Sequence, residues 1–157
     1  MTCGSVSLPA PLCILQLSYN ITQYSPTPRT MFTDKVVLIT GASSGIGAAC
    51  ALAFAKSSAT LSLVGRNLDN LSTIGKVCEK LNHIKPLLIV ADVTSDTDLD
   101  KIVEDTANKY GKIDVLINNA GINSVPETHS SAETYDRVMA TNVRATYLLT
   151  TKRHRTY

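Results

Sequence analysis

The sequence has few of the residue patterns that bind metals or form disulfides. Its four cysteines, Cys3, Cys13, Cys50 and Cys78, include no C-x-x-C pair, and none has a histidine at ligand spacing. We therefore expect reduced thiols rather than a zinc site or a redox pair. The three histidines are isolated from one another along the chain, which is typical of surface or loop positions. These patterns predict no metal centre.

Basic stripes and long apolar runs are also missing. The formal net charge is only +2, and no basic stripe interleaved with aromatic residues marks a nucleic-acid surface. The apolar segment Leu12–Leu17 is too short to span a bilayer, and no basic region precedes it, so neither a membrane anchor nor a secretory signal is expected. We expect a cytoplasmic protein.

Residues 1–30 differ in composition from the rest of the chain. They hold four of the six prolines, and Arg29 is their only charged residue. Such a segment cannot build a packed core, so we expect a poorly structured extension. An organelle presequence is the alternative, although a single arginine gives it little support.

From Met31 onward, β-branched runs alternate with segments of helical periodicity, within a chain whose 157 residues suit one domain. The predicted strands cover residues 35–40, 60–65, 85–91 and 113–118. Because the first and third runs are continuously apolar, both faces of the sheet should be covered by helices, as in parallel sheets. The order predicts an α/β fold, a Rossmann-like doubly wound parallel sheet, over residues 31–151.

Helical spacing of apolar residues predicts the faces that pack on the sheet. The predicted inward residues are Ile46, Ala49, Cys50, Ala53 and Phe54 in the first helix; Leu71, Ile74, Cys78 and Leu81 in the second; Leu99, Ile102, Val103, Thr106 and Tyr110 in the third; and Tyr135, Val138, Met139, Val143 and Tyr147 in a fourth that begins near Ala132.

A glycine-rich turn, Thr40-Gly41-Ala42-Ser43-Ser44-Gly45-Ile46-Gly47, joins the first strand to the first helix. A strand that turns directly into a helix directs free N–H groups and the positive end of the helix dipole at one point, which suits a pyrophosphate. Gly41 permits the tight turn, Gly45 lets a phosphate approach the backbone, and Gly47 allows close helix packing. A structural strand-to-helix turn is the alternative interpretation.

A second motif, Asn118-Asn119-Ala120-Gly121, ends the fourth predicted strand. Together with the G-x-x-x-G-x-G spacing of the turn, it resembles the short-chain dehydrogenase/reductase family, in its compact single-domain form, over about Asp34 to Thr151. The resemblance implies that Asn118, Ala120 and Gly121 support the wall beside the nicotinamide ribose. It also implies that Asp92 and Val93 hold the adenine. Asp92 and Asn118 follow parallel strands at the edge where ligands bind. A cap of a helix or a turn is the alternative role for Asp92.

The residue after the second predicted strand bears on the choice of nicotinamide cofactor. NAD binders usually have a carboxylate there that accepts hydrogen bonds from the ribose 2′-hydroxyl. This chain has Gly65 followed by Arg66, and a guanidinium is suited to a 2′-phosphate. NADP(H) is therefore predicted as the preferred cofactor, with NAD(H) as the alternative for the cofactor and a solvated loop arginine as the alternative for Arg66.

Asn142 is the candidate catalytic residue. It falls on the predicted inward stripe of the fourth helix, where an unpartnered amide would cost about 1–3 kcal/mol. In the family that the chain resembles, an asparagine in such an Asn-Val pair orders a water of a proton relay. A hydrogen bond to neighbouring backbone is the structural alternative.

The family's remaining catalytic groups, a serine and a Tyr-x-x-x-Lys pair, have no counterpart in this sequence, because no tyrosine has a lysine four residues on. The resemblance implies a small carbonyl or alcohol substrate, but we expect a truncated, inactive form with a sheet of about four strands and an aberrant basic tail over residues 152–157. A non-catalytic nucleotide-binding or interaction fragment is the alternative. Homo-oligomers are common in the family and doubtful for this chain, whose exposed fourth strand favours aggregation.

Overall fold

The computed structural model describes residues 31–123 and 131–154; the expectations for residues 1–30 and for residues 155–157 lie outside this part of the chain. Its strands are β1 (Val36–Thr40), β2 (Thr60–Gly65), β3 (Leu87–Val90) and β4 (Val115–Ile117). They form a parallel sheet in the order β3-β2-β1-β4. Each strand lies inside its predicted run, and the predicted doubly wound parallel sheet is confirmed.

Each strand is followed by a helix, and β4 is followed by two. The helices are α1 (Gly45–Lys56), α2 (Leu68–Asn82), α3 (Asp96–Tyr110), α4 (Ala132–Met139) and α5 (Ala145–His154), with a π-helical turn over Ala140–Arg144 between the last two. One apolar cluster packs α1 and α2 on one face of the sheet, and a second packs α3 and α5 on the other. Both faces are therefore covered, as the continuous apolar strands predicted.

The inward face of α3 agrees with the sequence pattern, and that of α2 agrees except at Leu81, which is 37% exposed. The inward face of α1 differs from the pattern. In α1 the buried residues are Gly47, Ala48, Ala51 and Ala55, and Ile46 is 76% exposed. Small side chains bring the axis of α1 close to the sheet and leave no room for larger ones on that face. The prediction of Ile46 and Ala53 as core residues is therefore wrong.

The predicted inward stripe of the fourth helix is also wrong. Tyr135, Val143 and Tyr147 are 64%, 52% and 67% exposed, while Ala145 and Leu149 contact the core. The π-helical turn contains more residues than an α-helical turn, so it rotates α5 relative to the spacing projected from α4. A uniform period of 3.6 residues therefore predicted as inward a stripe of residues that faces solvent in the structure.

The end of α5 is tied to the edge strand β4. The Arg153 guanidinium donates from Nε to the carbonyl of Ile113 at 3.1 Å and from Nη2 to that of Asp114 at 2.8 Å. Lys152 pairs with Asp100 of α3. The helix therefore continues beyond the boundary at residue 151 that the sequence suggested, through residues that make specific contacts with β4 and α3.

We expect Arg153→Met to lower the free energy of unfolding by about 1.5–3 kcal/mol, because a half-buried guanidinium donates to two carbonyls at the start of β4. The matched control is Arg144→Met, which removes an exposed ion pair with Asp96 and should cost less than about 1 kcal/mol. Urea denaturation of both variants measures the difference. Equal losses would show that the carbonyl contacts of Arg153 are unimportant.

Ser62 of β2 is fully buried, and its hydroxyl has no hydrogen-bond partner among the described residues. We expect Ser62→Ala to raise the free energy of unfolding by up to about 1 kcal/mol, because it removes an unpaired buried polar group. The comparison variant is Thr106→Val, since the Thr106 hydroxyl donates to the Ile102 carbonyl at 2.8 Å. That variant should lower the same free energy by about 1 kcal/mol. A loss of stability in Ser62→Ala would contradict the expectation.

Candidate functional site

A cleft of about 760 Å³ opens at the carboxyl ends of the strands. Four segments that the sequence analysis singled out meet there: the glycine turn, the end of β2, the end of β3 and the end of β4. The predicted site residues that line it are Gly41, Ser43, Ser44, Gly45, Ile46, Arg66, Asp92, Val93, Ala120 and Gly121. The strand ends of a parallel sheet meet at one edge, which is why segments distant in sequence share one cleft.

The glycine turn is shaped by two positive backbone angles and one tight contact. Gly41 and Gly45 have φ values of +65° and +54°, a region that side chains other than glycine rarely adopt. A Cβ atom on Gly47 would overlap the Gly41 carbonyl, whereas one on Gly45 would meet no atom within 4 Å. The space above Gly45 is therefore open and faces the cleft. Gly47 does not line the cleft, and its lack of a side chain allows α1 to pack closely against the glycine turn.

The first turn of α1 has no side-chain cap, unlike those of the other α-helices whose N-caps the structure describes. The N-cap side chains of α2, α3 and α4, Asn67, Ser95 and Ser131, each accept a hydrogen bond from a backbone N–H three residues on. Ser44, at the N-cap of α1, makes no such bond. The free N–H groups of α1 are thus available at the cleft, where an anionic group can accept their hydrogen bonds.

Thr40 and Asn119 hold the turn against β4. The Thr40 hydroxyl accepts hydrogen bonds from the N–H groups of Asn119 and Ala120, both at 3.0 Å, and donates to the Ile117 carbonyl at 3.3 Å. Asn119 Nδ2 donates to the carbonyls of Thr40 at 3.0 Å and Gly41 at 3.2 Å. Thr40 is 2% exposed, so it acts through the backbone that it positions.

Asn119 was missed as a site residue, although it lies inside the second motif and lines the cleft. Its neighbour Asn118 is directed elsewhere, because its Nδ2 donates to the Thr150 hydroxyl of α5 at 3.1 Å. Asn118 lines a smaller cavity beside Thr146 and Leu149. The alternating directions of side chains along a strand explain why consecutive asparagines face different surroundings.

Asp92 and Arg66 carry opposite charges at the ends of β3 and β2. Asp92 Oδ1 accepts from the backbone N–H of Thr94 at 2.9 Å and from its hydroxyl at 2.8 Å. These hydrogen bonds hold the pKa of Asp92 below its ordinary value, with a smaller contribution from the positive charge of Arg66, while partial desolvation opposes the shift. Asp92 is therefore an ionised hydrogen-bond acceptor at neutral pH.

Asn142 lies in the π-helical turn, where it clamps the chain that follows β4. Its Oδ1 accepts from the Ile122 N–H and its Nδ2 donates to the Ile122 carbonyl, both at 2.9 Å. Asn142 is exposed, so the prediction that it lies on the inward face is wrong, and its amide bonds to backbone, as the structural alternative supposed. Rotation of the helix by the π-helical turn takes this side chain off the core face and brings it against Ile122.

One part of the cleft lining was not predicted from the sequence. Thr94, after β3, lines the cleft, and so do Ile122, Arg137, Ala140 and Thr141. The π-helical turn and the backbone clamp by Asn142 position the last four residues, which lie after β4. No short motif in the sequence marks them, because their contribution depends on how the helix after β4 is rotated.

Within the described ranges, no three His, Cys, Asp or Glu side chains lie together in a group that could hold a metal ion. Cys50 and Cys78 are free thiols, and burial raises the pKa of Cys78 to about 12. None of the helices in the described part of the chain is both long enough and apolar enough to cross a membrane.

Comparison with known proteins agrees with this geometry. Levodione reductase of Leifsonia aquatica is 38% identical over 125 residues, which cover 78% of this chain and 47% of that protein. The 11-beta-hydroxysteroid dehydrogenase-like 2 of Arabidopsis thaliana is 45% identical over 96 residues, covering 61% of this chain and 30% of that protein. The chain therefore spans less than half the length of these curated relatives.

Solved structures of similar proteins share the fold. A crystal structure of levodione reductase matches with a TM-score of 0.74 and 34% identity, over 80% of this chain and 50% of that one. The NAD+-bound xylitol dehydrogenase matches with a TM-score of 0.75 and 29% identity, over 81% of this chain and 49% of that one. The family model for short chain dehydrogenase matches residues 35–156. With the glycine turn, the asparagine motif and the parallel sheet in agreement, the chain belongs to the short-chain dehydrogenase/reductase family, whose members are NAD(P)-binding oxidoreductases.

Proposed function

We propose that this chain binds NADP(H) in the cleft, as the cofactor-binding part of an oxidoreductase that acts on a carbonyl/alcohol pair. The observation that carries the proposal is the arrangement of the uncapped α1 beside Arg66, which follows Gly65 at the end of β2. Uncapped N–H groups suit a pyrophosphate, and a guanidinium suits a 2′-phosphate. Membership of the short-chain dehydrogenase/reductase family supports the oxidoreductase class.

The residues present fit such a cofactor along the length of the cleft. The open space above Gly45 admits a phosphate close to the backbone. The ionised Asp92 provides an acceptor for the adenine amino group, and Val93 offers an apolar contact beside it. Ala120 and Gly121 lie beside the position proposed for the nicotinamide ribose. When bound, the cofactor supplies the hydride that is exchanged with the substrate carbon.

The preference for NADP(H) over NAD(H) rests on the charge beside β2. A carboxylate at this position would accept hydrogen bonds from the ribose 2′-hydroxyl and repel a 2′-phosphate. Gly65 provides no carboxylate, and Arg66 is exposed at the rim of the cleft, where its two-pronged donor can reach a phosphate. The xylitol dehydrogenase that matches this fold is bound to NAD+, so the fold alone does not select between the cofactors.

We expect Arg66→Ala to raise the dissociation constant for NADPH by about tenfold or more, because a charge-assisted contact with the 2′-phosphate is lost. The dissociation constant for NADH should change little, since that cofactor has no 2′-phosphate. Fluorescence titration of the 157-residue chain at several salt concentrations measures both. The control is Arg144→Ala, which removes an arginine bonded to Asp96 outside the cleft. An unchanged NADPH dissociation constant with unchanged salt dependence would contradict the preference.

We further propose that these 157 residues bind the cofactor without catalysing the reaction. No tyrosine in them has a lysine four residues on, and such a pair provides acid–base catalysis in the family that the chain resembles. A lysine charge next to a tyrosine lowers the phenol pKa, which allows proton transfer as hydride moves. Asn142 is the one relay candidate, and its side chain is used to hold Ile122. This observation also favours the second candidate function, a non-catalytic nucleotide-binding chain.

We expect the purified chain to oxidise NADPH no faster than background with small ketones, while NADPH still raises its melting temperature, because ligand binding to the folded state stabilises it. Absorbance at the reduced nicotinamide band and thermal denaturation measure the two effects. Clear turnover that Asn142→Ala abolishes would show instead that the chain is catalytic. Asn108→Ala, at an exposed position of α3, is the matched control.

A reading frame that continues into a serine followed by Tyr-x-x-x-Lys distinguishes the two candidate functions. Its presence would support an oxidoreductase of which these residues are the cofactor-binding part. A transcript without it would favour the non-catalytic chain.

A further inference from the structure

The cleft is lined by a positively charged side chain that the proposed cofactor contacts do not use. Its lining includes two arginines, Arg66 and Arg137, and one carboxylate, Asp92. Arg66 is accounted for by the proposed 2′-phosphate contact. Arg137 lies on α4, in a different element from the glycine turn, and it has no role in the motifs of the sequence.

Arg137 is held at the cleft by its own helix. The Thr141 hydroxyl donates to the Arg137 carbonyl at 2.9 Å across one helical turn, and Ala140 and Thr141 line the cleft with it. The backbone clamp between Asn142 and Ile122 fixes this part of the helix next to the chain that follows β4. The base of the Arg137 side chain is therefore positioned by the same contacts that form this part of the cleft.

The arginines in the π-helical turn and in the helices on either side of it differ in their partners. Arg144 donates to Asp96 at 2.9 Å, and Arg153 donates to two backbone carbonyls. In contrast, the Arg137 guanidinium makes no hydrogen bond or ion pair with any residue of the ranges 31–123 and 131–154. An exposed guanidinium that lines the same cleft as the glycine turn, with its donors unused by the described residues, can serve a ligand that is itself anionic.

We infer that Arg137 is a second cationic contact for the bound cofactor, and that it donates to the pyrophosphate while the free N–H groups of α1 donate to the same group. The inference rests on the proposed NADP(H) binding and extends it to a residue that determines affinity for both nicotinamide cofactors. A doubly anionic pyrophosphate has enough acceptor oxygens for the N–H groups of α1 and for a guanidinium. Arg66 then distinguishes the cofactors, and Arg137 contributes to the binding of either.

The test is Arg137→Gln, with NADPH and NADH titrated separately against the 157-residue chain at several salt concentrations. We expect the dissociation constants for both cofactors to rise by about tenfold, and the salt dependence of binding to become shallower. Arg137→Lys keeps the charge and loses the bidentate geometry. Its dissociation constants should lie between those of the wild type and those of Arg137→Gln. The control is Arg144→Gln, which should leave both dissociation constants unchanged.

The outcomes separate this inference from the proposed function. Loss confined to NADPH would overturn the pyrophosphate contact, because it would place Arg137 at the 2′-phosphate instead, and it would leave the proposed function intact. Wild-type affinity for both cofactors in Arg137→Gln would overturn the role of Arg137 and leave the proposed function intact. A wild-type chain that binds neither cofactor would overturn the proposed function, and the role of Arg137 with it. Circular dichroism melting curves of the variants confirm that they are folded.

Discussion

Five hydrogen bonds join the end of β1 to the end of β4 through Thr40 and Asn119. They use a hydroxyl that is almost fully buried and an amide that reaches two carbonyls of the glycine turn. The turn is thereby fixed relative to Ala120 and Gly121, and α1 can pack so closely that Gly47 has no room for a Cβ atom. Two segments about eighty residues apart thus form one rigid edge of the cleft, and every proposed cofactor contact is positioned relative to it.

The polar groups at this edge are distributed according to what a dinucleotide requires. The starts of α2, α3 and α4 are satisfied by their own N-cap side chains, whereas α1 keeps its first N–H groups free at the cleft. Uncompensated donors at a helix start favour an anion. Asp92 is held ionised by Thr94, so the cleft that the free N–H groups of α1 face is also lined by an acceptor. Membership of a family of NAD(P)-binding oxidoreductases agrees with this arrangement.

The π-helical turn links the far part of the cleft to the core. Asn142 forms two hydrogen bonds with the Ile122 backbone, while Ala145 and Leu149, further along, pack beneath the sheet. An α-helix of regular pitch would not serve both contacts from these positions, because its faces repeat every 3.6 residues. The extra residues of the π-helical turn satisfy both, and as a consequence Tyr147, beyond the turn, points to solvent.

The sequence by itself determined the local elements: the strands, the inward faces of α2 and α3 and the glycine turn, because each follows from a short period or from backbone freedom at glycine. It also placed Arg66 and Asp92 at strand ends, where the structure finds them lining the cleft. Only the tertiary structure decided that Asn119 supports the turn and that Asn142 binds Ile122. Those contacts join residues far apart in sequence, and the π-helical turn they accompany breaks the periodicity from which helix faces are predicted. The local sequence pattern determines which element forms. The rotation of a helix about its axis is determined by the residues that it contacts in the folded chain.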